Sequence, residues 1–551
     1  MALAAGGPAG ASGPGTADSG GPDGAVALVR LPFPRDDGTL TPYTFELGYP
    51  LMTLVYDTLL WRDAGGEPRP WLASSTETSP DGRTVTIELA PGARWQDGQP
   101  VTSADVAFTF SYMADHPHPR FSPELEAVER VETPDRRTAV VRLRTPAPGF
   151  ADQPLADLPI LPAHLWAGLP RGKVAPDGLP VGSGPYRMVE HVPGQRYRFE
   201  SVDDYFRGPP RIKAVEVTII GSGRDTVRAL ERHQVDMAPV SLADDMASRV
   251  ADIPGVRVEE GPSYLGTTLI FNVLSAPFDR PEVRRAVAEA VDLERVARVV
   301  GGAVPAERGL LHPDSAFAGP GGLHAVRLAA ARPVLRSLPG PVTVLAAAND
   351  PVKAEAGRMV AQALRGAGAA AQVKLVSQTD LARAVGEDGS APKFQAAIWT
   401  TPALVSYDPT ILGRLYGSGE DAAGVNLTGY RSAAFDEIAR RVATTADTSA
   451  RHAAAAEALD LLARDVPALP LFFAPGRFAV RPVAYDGWVF VKGSGILDKR
   501  SFVDPGKPPP AVPNGLAGLR EDDDGARAGT IALAALAAAA VLVVVVLLRR
   551  R

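Results

Sequence analysis

The chain contains no cysteine, which excludes disulfides, thiolate metal sites, cysteine nucleophiles and lipid attachment through sulfur. Any membrane anchor would have to be peptide. Lysine is scarce: only eight of the 57 basic residues are Lys, which with abundant Ala, Gly and Pro marks a compositional bias and lowers the weight of any single Arg. The formal net charge of -6 offers no basic field to a phosphate backbone, so nucleic acid is not expected as a partner. Familiar catalytic signatures are also missing. No glycine-rich run ends in Gly-Lys-Ser/Thr, and VGSGPY (181–186) and IGSGRD (220–225) neither carry that Lys nor complete GxGxxG. There is no GxSxG and no HExxH, and of eight His only His116 and His118 lie close together, in an HPHP stretch that reads as a solvated loop. The acidic pairs Asp203-Asp204 and Asp244-Asp245 are neighbours in sequence, so their side chains point apart. No enzyme activity, catalytic residue, metal site or cofactor is expected.

What is present is a long chain of 551 residues, 45% hydrophobic and 22% charged, enough for more than one core. Residues 1–25, rich in Gly, Ala, Pro and Ser, read as disordered, and 504–527 as a Pro-rich, then acidic, linker. From Ala528 to Leu548 run 21 uncharged residues, flanked by EDDDGAR and by Arg549, Arg550 and Arg551. That length and those flanks predict a transmembrane helix in contact with the lipid bilayer. The positive-inside rule then expects a single-pass protein of the cell membrane, its bulk extracellular and its C-terminal arginines cytoplasmic. The N-terminus has neither a basic region nor an adequate apolar run, so the expectation is a start upstream, with ALAAG the remnant of a signal peptide.

Between these ends the hydrophobic period changes. Thr84 to Leu89 alternates as a strand, Asp97-Gly98 is a turn, and Thr102 with Asp105 three residues on is a box-like cap opening a helix to about Met113. RTAVVRLRT (137–145) and RIKAVEVTII (211–220) are further strands. From about Pro341 the order becomes strand, helix, strand, helix, strand, the pattern of a parallel sheet. The second half therefore reads as α/β and the first as mixed hairpins and helices, so two unlike lobes with a ligand cleft between them are expected.

Five stretches, in order, resemble one family. VYDTLLWRDAGGEPRPWLASSTETSPDGRTVTIELAPGARWQDGQPVTSADVAFTF (55–110), LPAHLW (161–166), VGSGPYRMVEHVPGQRYRFESVDDYFRGPPRIKAVEVTII (181–220), FNVLSAPFDRPEVRRAVAEAVDLERV (271–296) and VPALPLFF (466–473) are similar to the extracellular solute-binding proteins of family 5, the oligopeptide, dipeptide and nickel receptors of ABC importers. Read as residues, most of this is architecture. Pro281 and Glu282 suit a first helical turn, and Val283, Val287, Ala290 and Val291 make one apolar stripe.

The resemblance implies a periplasmic-binding-protein type II-like α/β fold with a hinge and an interlobe cleft, here with the C-terminal transmembrane helix added. Lobe I would span 26–270 with strands returning from 479–503, and lobe II 271–478. It implies a monomer that closes on a peptide or similar small solute and delivers it to an ABC permease. The alternative is an extracellular peptide sensor acting through a membrane partner without import. The segment AIWTTPALVSYDPTILGRLYGS (397–418) resembles the family's ligand-contacting stretch, but the position matching the acid that holds a peptide ammonium is Val405. Asp408 could stand in for that acid, or could cap the helix beginning at Pro409. Asn272, Trp399 and Tyr407 are candidates for polar anchor or aromatic wall, or for core.

Overall fold

In this computed structural model the described residues are 26–503, apart from 46, 119, 171–172, 174, 240–243, 320–324, 388 and 420–425. The alternating strand Thr84–Leu89 buries every second side chain and joins a four-stranded antiparallel sheet in the order Ala73–Thr78, Thr84–Leu89, Thr138–Leu143, Val128–Glu132. A second four-stranded sheet pairs Val26–Phe33 in parallel with Ile212–Ile219, followed by Arg196–Ser201 and Tyr186–Val192. The helix Ser103–Asp115 opens on the capping box formed by Thr102 and Asp105. Asp97-Gly98 is a tight turn in which Gly98 N–H donates to Trp95 O.

A six-stranded sheet carries the other body. Its order is Val304–Pro305, Ala468–Phe473, Gly266–Phe271, Ala396–Thr401, Val342–Ala347, Ala371–Val376. Val342–Ala347 runs parallel to both of its neighbours, as the alternation of strand and helix requires. Gly266–Phe271 and Ala468–Phe473 are buried at every position and are apolar apart from Thr267 and Thr268, the latter paired through its Oγ1 with Thr401 Oγ1 at 2.6 Å. The helix Pro281–Ala290 begins on Pro281 and buries Val283, Val287 and Ala290.

No hydrophobic core cluster among the described residues mixes the two bodies. Three clusters draw only on residues between Leu269 and Phe472, one only on residues between Leu59 and Ala175, and two combine the first 260 residues with the return segment from Phe478 to Val503. The chain passes between the bodies twice. Arg257–Gly261 leads into Gly266–Phe271, and Ala468–Phe473 leads into Gly476–Val480. The two connecting strands, Arg257–Gly261 and Gly476–Val480, are antiparallel neighbours in one small sheet. Arg477 Nε reinforces the crossing by donating to Glu260 Oε2 at 2.8 Å.

The fold class expected from the sequence needs one correction. No helix among the described residues is long and apolar enough to cross a membrane, and 528–548, on which that expectation rested, lies outside them. None of the described helices exceeds 18 residues. The longest, Thr448–Asp465, has 18 residues and carries Arg451, Glu457, Asp460, Arg464 and Asp465 at intervals that no hydrocarbon layer would accept. Over the described residues the fold is therefore two lobes, with no spanning helix among them.

Candidate functional site

Small residues let the two lobes approach closely. Gly149 of the first lobe lies so near the second that a Cβ added there would stand 2.6 Å from Asp408 Oδ2 and 3.0 Å from its Cγ. Beside this contact a cavity of about 570 Å³ opens between the lobes. Pro146, Gly149 and Phe150 line it from one side and Thr410, Arg414 and Asp436 from the other. This volume is in the range of small-molecule and short-peptide sites, and its walls are mainly apolar with a few polar groups, as such sites usually are.

Arg414, Asp436 and Arg440 bring charge to the cavity wall, and two further ion pairs stand near the contact at Gly149. Asp408 and Arg451 are 4% and 7% exposed, and Arg451 Nη2 donates to both carboxylate oxygens at 2.7 and 2.6 Å. Arg451 Nη2 also reaches Thr410 Oγ1 at 3.0 Å, and Asp408 Oδ1 accepts from Thr410 N–H at 2.8 Å. On the first lobe Arg62 Nη1 pairs with Asp152 Oδ1 at 2.7 Å. Burial raises the pKa of Asp152; Arg62 opposes the shift and the charge of Asp408 adds to it. The field of the second lobe therefore reaches the first.

Arg414 acts across the same gap on His118, whose pKa is pushed down to about 4, first by burial and then by Arg120 and Arg414 against the opposing pull of Asp157. His312, 4% exposed, is likewise pushed down to about 4 by burial, with Lys492 adding and Asp314 opposing. Its ring packs against Tyr264 and Phe473, and its Nδ1 accepts from Asp314 N–H at 3.1 Å. A histidine with a depressed folded pKa binds fewer protons folded than unfolded, so stability falls as pH drops from the unfolded value near 6.5 toward about 4. Each such imidazole contributes a slope of at most about 1.4 kcal/mol per pH unit over that window. Chemical unfolding at pH 7, 6 and 5 should show the decline, and the His312 ring resonances should remain those of neutral imidazole at pH 5.5. A His312 titration centred near 6.5 would count against this.

The four residues singled out from the sequence separate into distinct settings. Asn272 is 4% exposed and clamps backbone: its Nδ2 donates to Phe394 O at 3.1 Å and its Oδ1 accepts from Leu274 N–H at 3.1 Å. Trp399 lies opposite Thr268 in the six-stranded sheet, half-buried against the cluster that contains Val405. Val405 is fully buried, so its position offers nothing to a ligand. Tyr407 and Asp408 stand together where the lobes meet. Tyr407 Oη lies 2.5 Å from Lys492 O and 3.0 Å from Ser494 Oγ, and the Arg62 guanidinium is 3.8 Å from its ring centroid. Arg62, Gly149, Arg414 and Arg451 were not identified from sequence; each is tens of residues from its partner, and one Arg among many carries no signal of its own.

Comparison with known proteins places this geometry among relatives. The family model for bacterial extracellular solute-binding proteins, family 5 middle, matches residues 67–423. The dipeptide-binding protein of Escherichia coli is 27% identical over 257 residues, which cover 42% of this chain and 47% of that protein. The chain spans about half the length of the curated relatives it matches. Among solved structures, an ABC transporter substrate-binding protein, CtaP, from Listeria monocytogenes superposes with a TM-score of 0.76 at 21% identity, covering 87% of this chain and 99% of that one. The Bacillus subtilis oligopeptide-binding protein AppA, solved with a nonapeptide, gives 0.72 at 18% identity, covering 83% and 95%. At these identities the superpositions speak to the fold.

Proposed function

From the premise that this chain belongs to the bacterial extracellular solute-binding proteins of family 5, a family that binds solutes without making or breaking bonds, we propose that it captures a peptide or similarly sized solute between its lobes and delivers it to the permease of an ABC importer. Capture takes place outside the cytoplasm. The observation that carries this reading is the 570 Å³ cavity walled by both lobes. A solute touching both walls binds the closed arrangement better than the open one, and so shifts the population toward closure. The permease reads the closed form. The nonapeptide in the Bacillus subtilis neighbour supports a peptide as the cargo class.

In this reading the ligand meets the cavity wall, including Arg414, Thr410 and Gly149, while Asp408 supports that wall from behind through Thr410 and Arg451. Trp399 and Asn272 shape the second lobe. Thermal-shift measurements with peptides of two to five residues test the proposal: a ligand at a hundred times its Kd stabilises by about 2.7 kcal/mol. Gly149→Ala tests the closure that the proposal requires. Its methyl group would stand 2.6 Å from Asp408 Oδ2 when the lobes meet. Overpacking of this kind costs about 1–3 kcal/mol, or roughly five- to a hundredfold in affinity. The unfolding midpoint without ligand should not move, since the contact crosses between lobes. Wild-type affinity in this variant would rule out closure at Gly149.

A further inference from the structure

The Tyr407 hydroxyl does not face the cavity. It is docked in a slot made by the opposite lobe and the return segment. Arg62 covers the ring at 3.8 Å, Lys492 O and Ser494 Oγ lie 2.5 and 3.0 Å from the hydroxyl, and Tyr264 packs at an interplanar angle of 54° with ring centroids 5.2 Å apart. The slot is shaped for this occupant. Gly493 has φ of +83°, and a Cβ there would stand 2.5 Å from Tyr407 Oη and 2.7 Å from Tyr264 Cδ2, so both the backbone conformation and the space call for glycine. Arg62 is held for stacking by Asp152 Oδ1 at 2.7 Å and by Gly66 O at 3.0 Å. Burial raises the pKa of the Tyr407 hydroxyl, against the nearby Arg62 charge, which keeps the hydroxyl protonated and able to donate to Lys492 O.

We propose that Tyr407 is a closure latch: a positioning residue that sets ligand affinity by holding the lobes together, without touching the ligand. The inference rests on the reading that the lobes open and close. Opening must part the Tyr407 hydroxyl from Lys492 O and its ring from Arg62, and closure restores both. The latch acts on the closed state whatever solute is bound, so it scales all affinities by one factor and leaves the order of preference among solutes unchanged.

The absence of native cysteine allows a direct test. An added Cβ at Gly82, in the first lobe, would stand 3.8 Å from Cβ of Ala446 in the second, within the range that disulfides span; Gly82 has φ of +68° and Pro146 Cβ would lie 3.1 Å away, so the double-cysteine protein carries some strain and serves as the common parent for every comparison. In a Gly82→Cys/Ala446→Cys background, the rate of oxidative cross-linking reports how often the closed state is visited, with no ligand present. Adding Tyr407→Phe should slow cross-linking roughly three- to tenfold, the loss expected for one hydrogen bond. Ser494→Ala should slow it less. Thiol alkylation rates and the unfolding midpoint of the reduced protein should match those of the parent. An unchanged cross-linking rate would overturn the latch. Slowing accompanied by an equal loss of global stability would also overturn it, assigning Tyr407 to packing instead. Because no solute enters the comparison, a failure of peptides to bind would leave this test intact, and a failed latch would leave the peptide measurements standing.

Discussion

Lys499→Met should lower the unfolding free energy by about 3–5 kcal/mol, the range for removing one partner of a buried ion pair. Lys499 Nζ lies 3.1 Å from Asp57 Oδ1, and neither side chain has any solvent exposure. The remaining partners of Asp57 are neutral: Trp71 Nε1 donates to Oδ1 at 2.9 Å, Tyr205 Oη at 3.0 Å, and Ser183 Oγ lies 3.2 Å from Oδ2. Three neutral donors do not replace a charge inside a core. The ammonium group also sits over Trp61 and Trp71, at 4.1 and 4.9 Å from their ring centroids, and methionine retains only the packing part of that contact. The double variant Asp57→Asn/Lys499→Met should recover most of the loss, since burying a matched neutral pair is often no worse than burying an ionic one. Guanidinium unfolding of the three variants reads both effects. A single variant that loses less than about 1 kcal/mol would refute the assignment.

Asp408→Asn should cost a similar amount, about 3–5 kcal/mol, and for the same reason. Asparagine can still accept from Thr410 N–H, so the turn survives, but it leaves the Arg451 guanidinium buried with a neutral partner. The Arg451 Nε bond to Val442 O and the stacking of its guanidinium 5.0 Å from the Phe317 ring persist, which places the loss on the carboxylate. Chemical unfolding of Asp408→Asn beside Asp408→Asn/Arg451→Met separates pairing from packing. Stability equal to wild type together with a large loss of peptide affinity would reverse the picture, making Asp408 an anchor for a ligand cation.

These two pairs mark where the sequence stops being legible. Local periodicity exposes local structure: Thr84–Leu89, the Thr102/Asp105 capping box, Pro281 at the start of its helix, and the alternation after Pro341 can all be read in windows of a dozen residues. The family resemblance supplied the two-lobed plan in the same way, through ordered stretches. The groups that decide the interlobe region are not local. Asp57 and Lys499 are 442 positions apart, Tyr407 and Lys492 are 85, and Asp408 and Arg451 are 43. An acid next to a proline reads equally as a cap or a ligand anchor until its cation is located, and the abundance of Arg hides which one that is. The Tyr407 hydroxyl shows the same limit, because an aromatic on a ligand-contacting segment and an aromatic docked against the neighbouring lobe look alike in sequence. The membrane-spanning expectation shows the converse: a composition rule applied to a terminal segment fell outside the described residues, and no helix within them is long and apolar enough to cross a membrane.

The threading of the chain through its paired connecting strands has a consequence for biosynthesis. The six-stranded sheet is assembled from residues 266–473, so every strand of that half is made, and emerges, before the return segment that begins at about residue 476. The half that is begun first cannot be finished until Lys499 emerges to meet Asp57. Translation therefore delivers the later-encoded half as the first complete folding unit, and the amino-terminal half waits with an unneutralised aspartate in its interior.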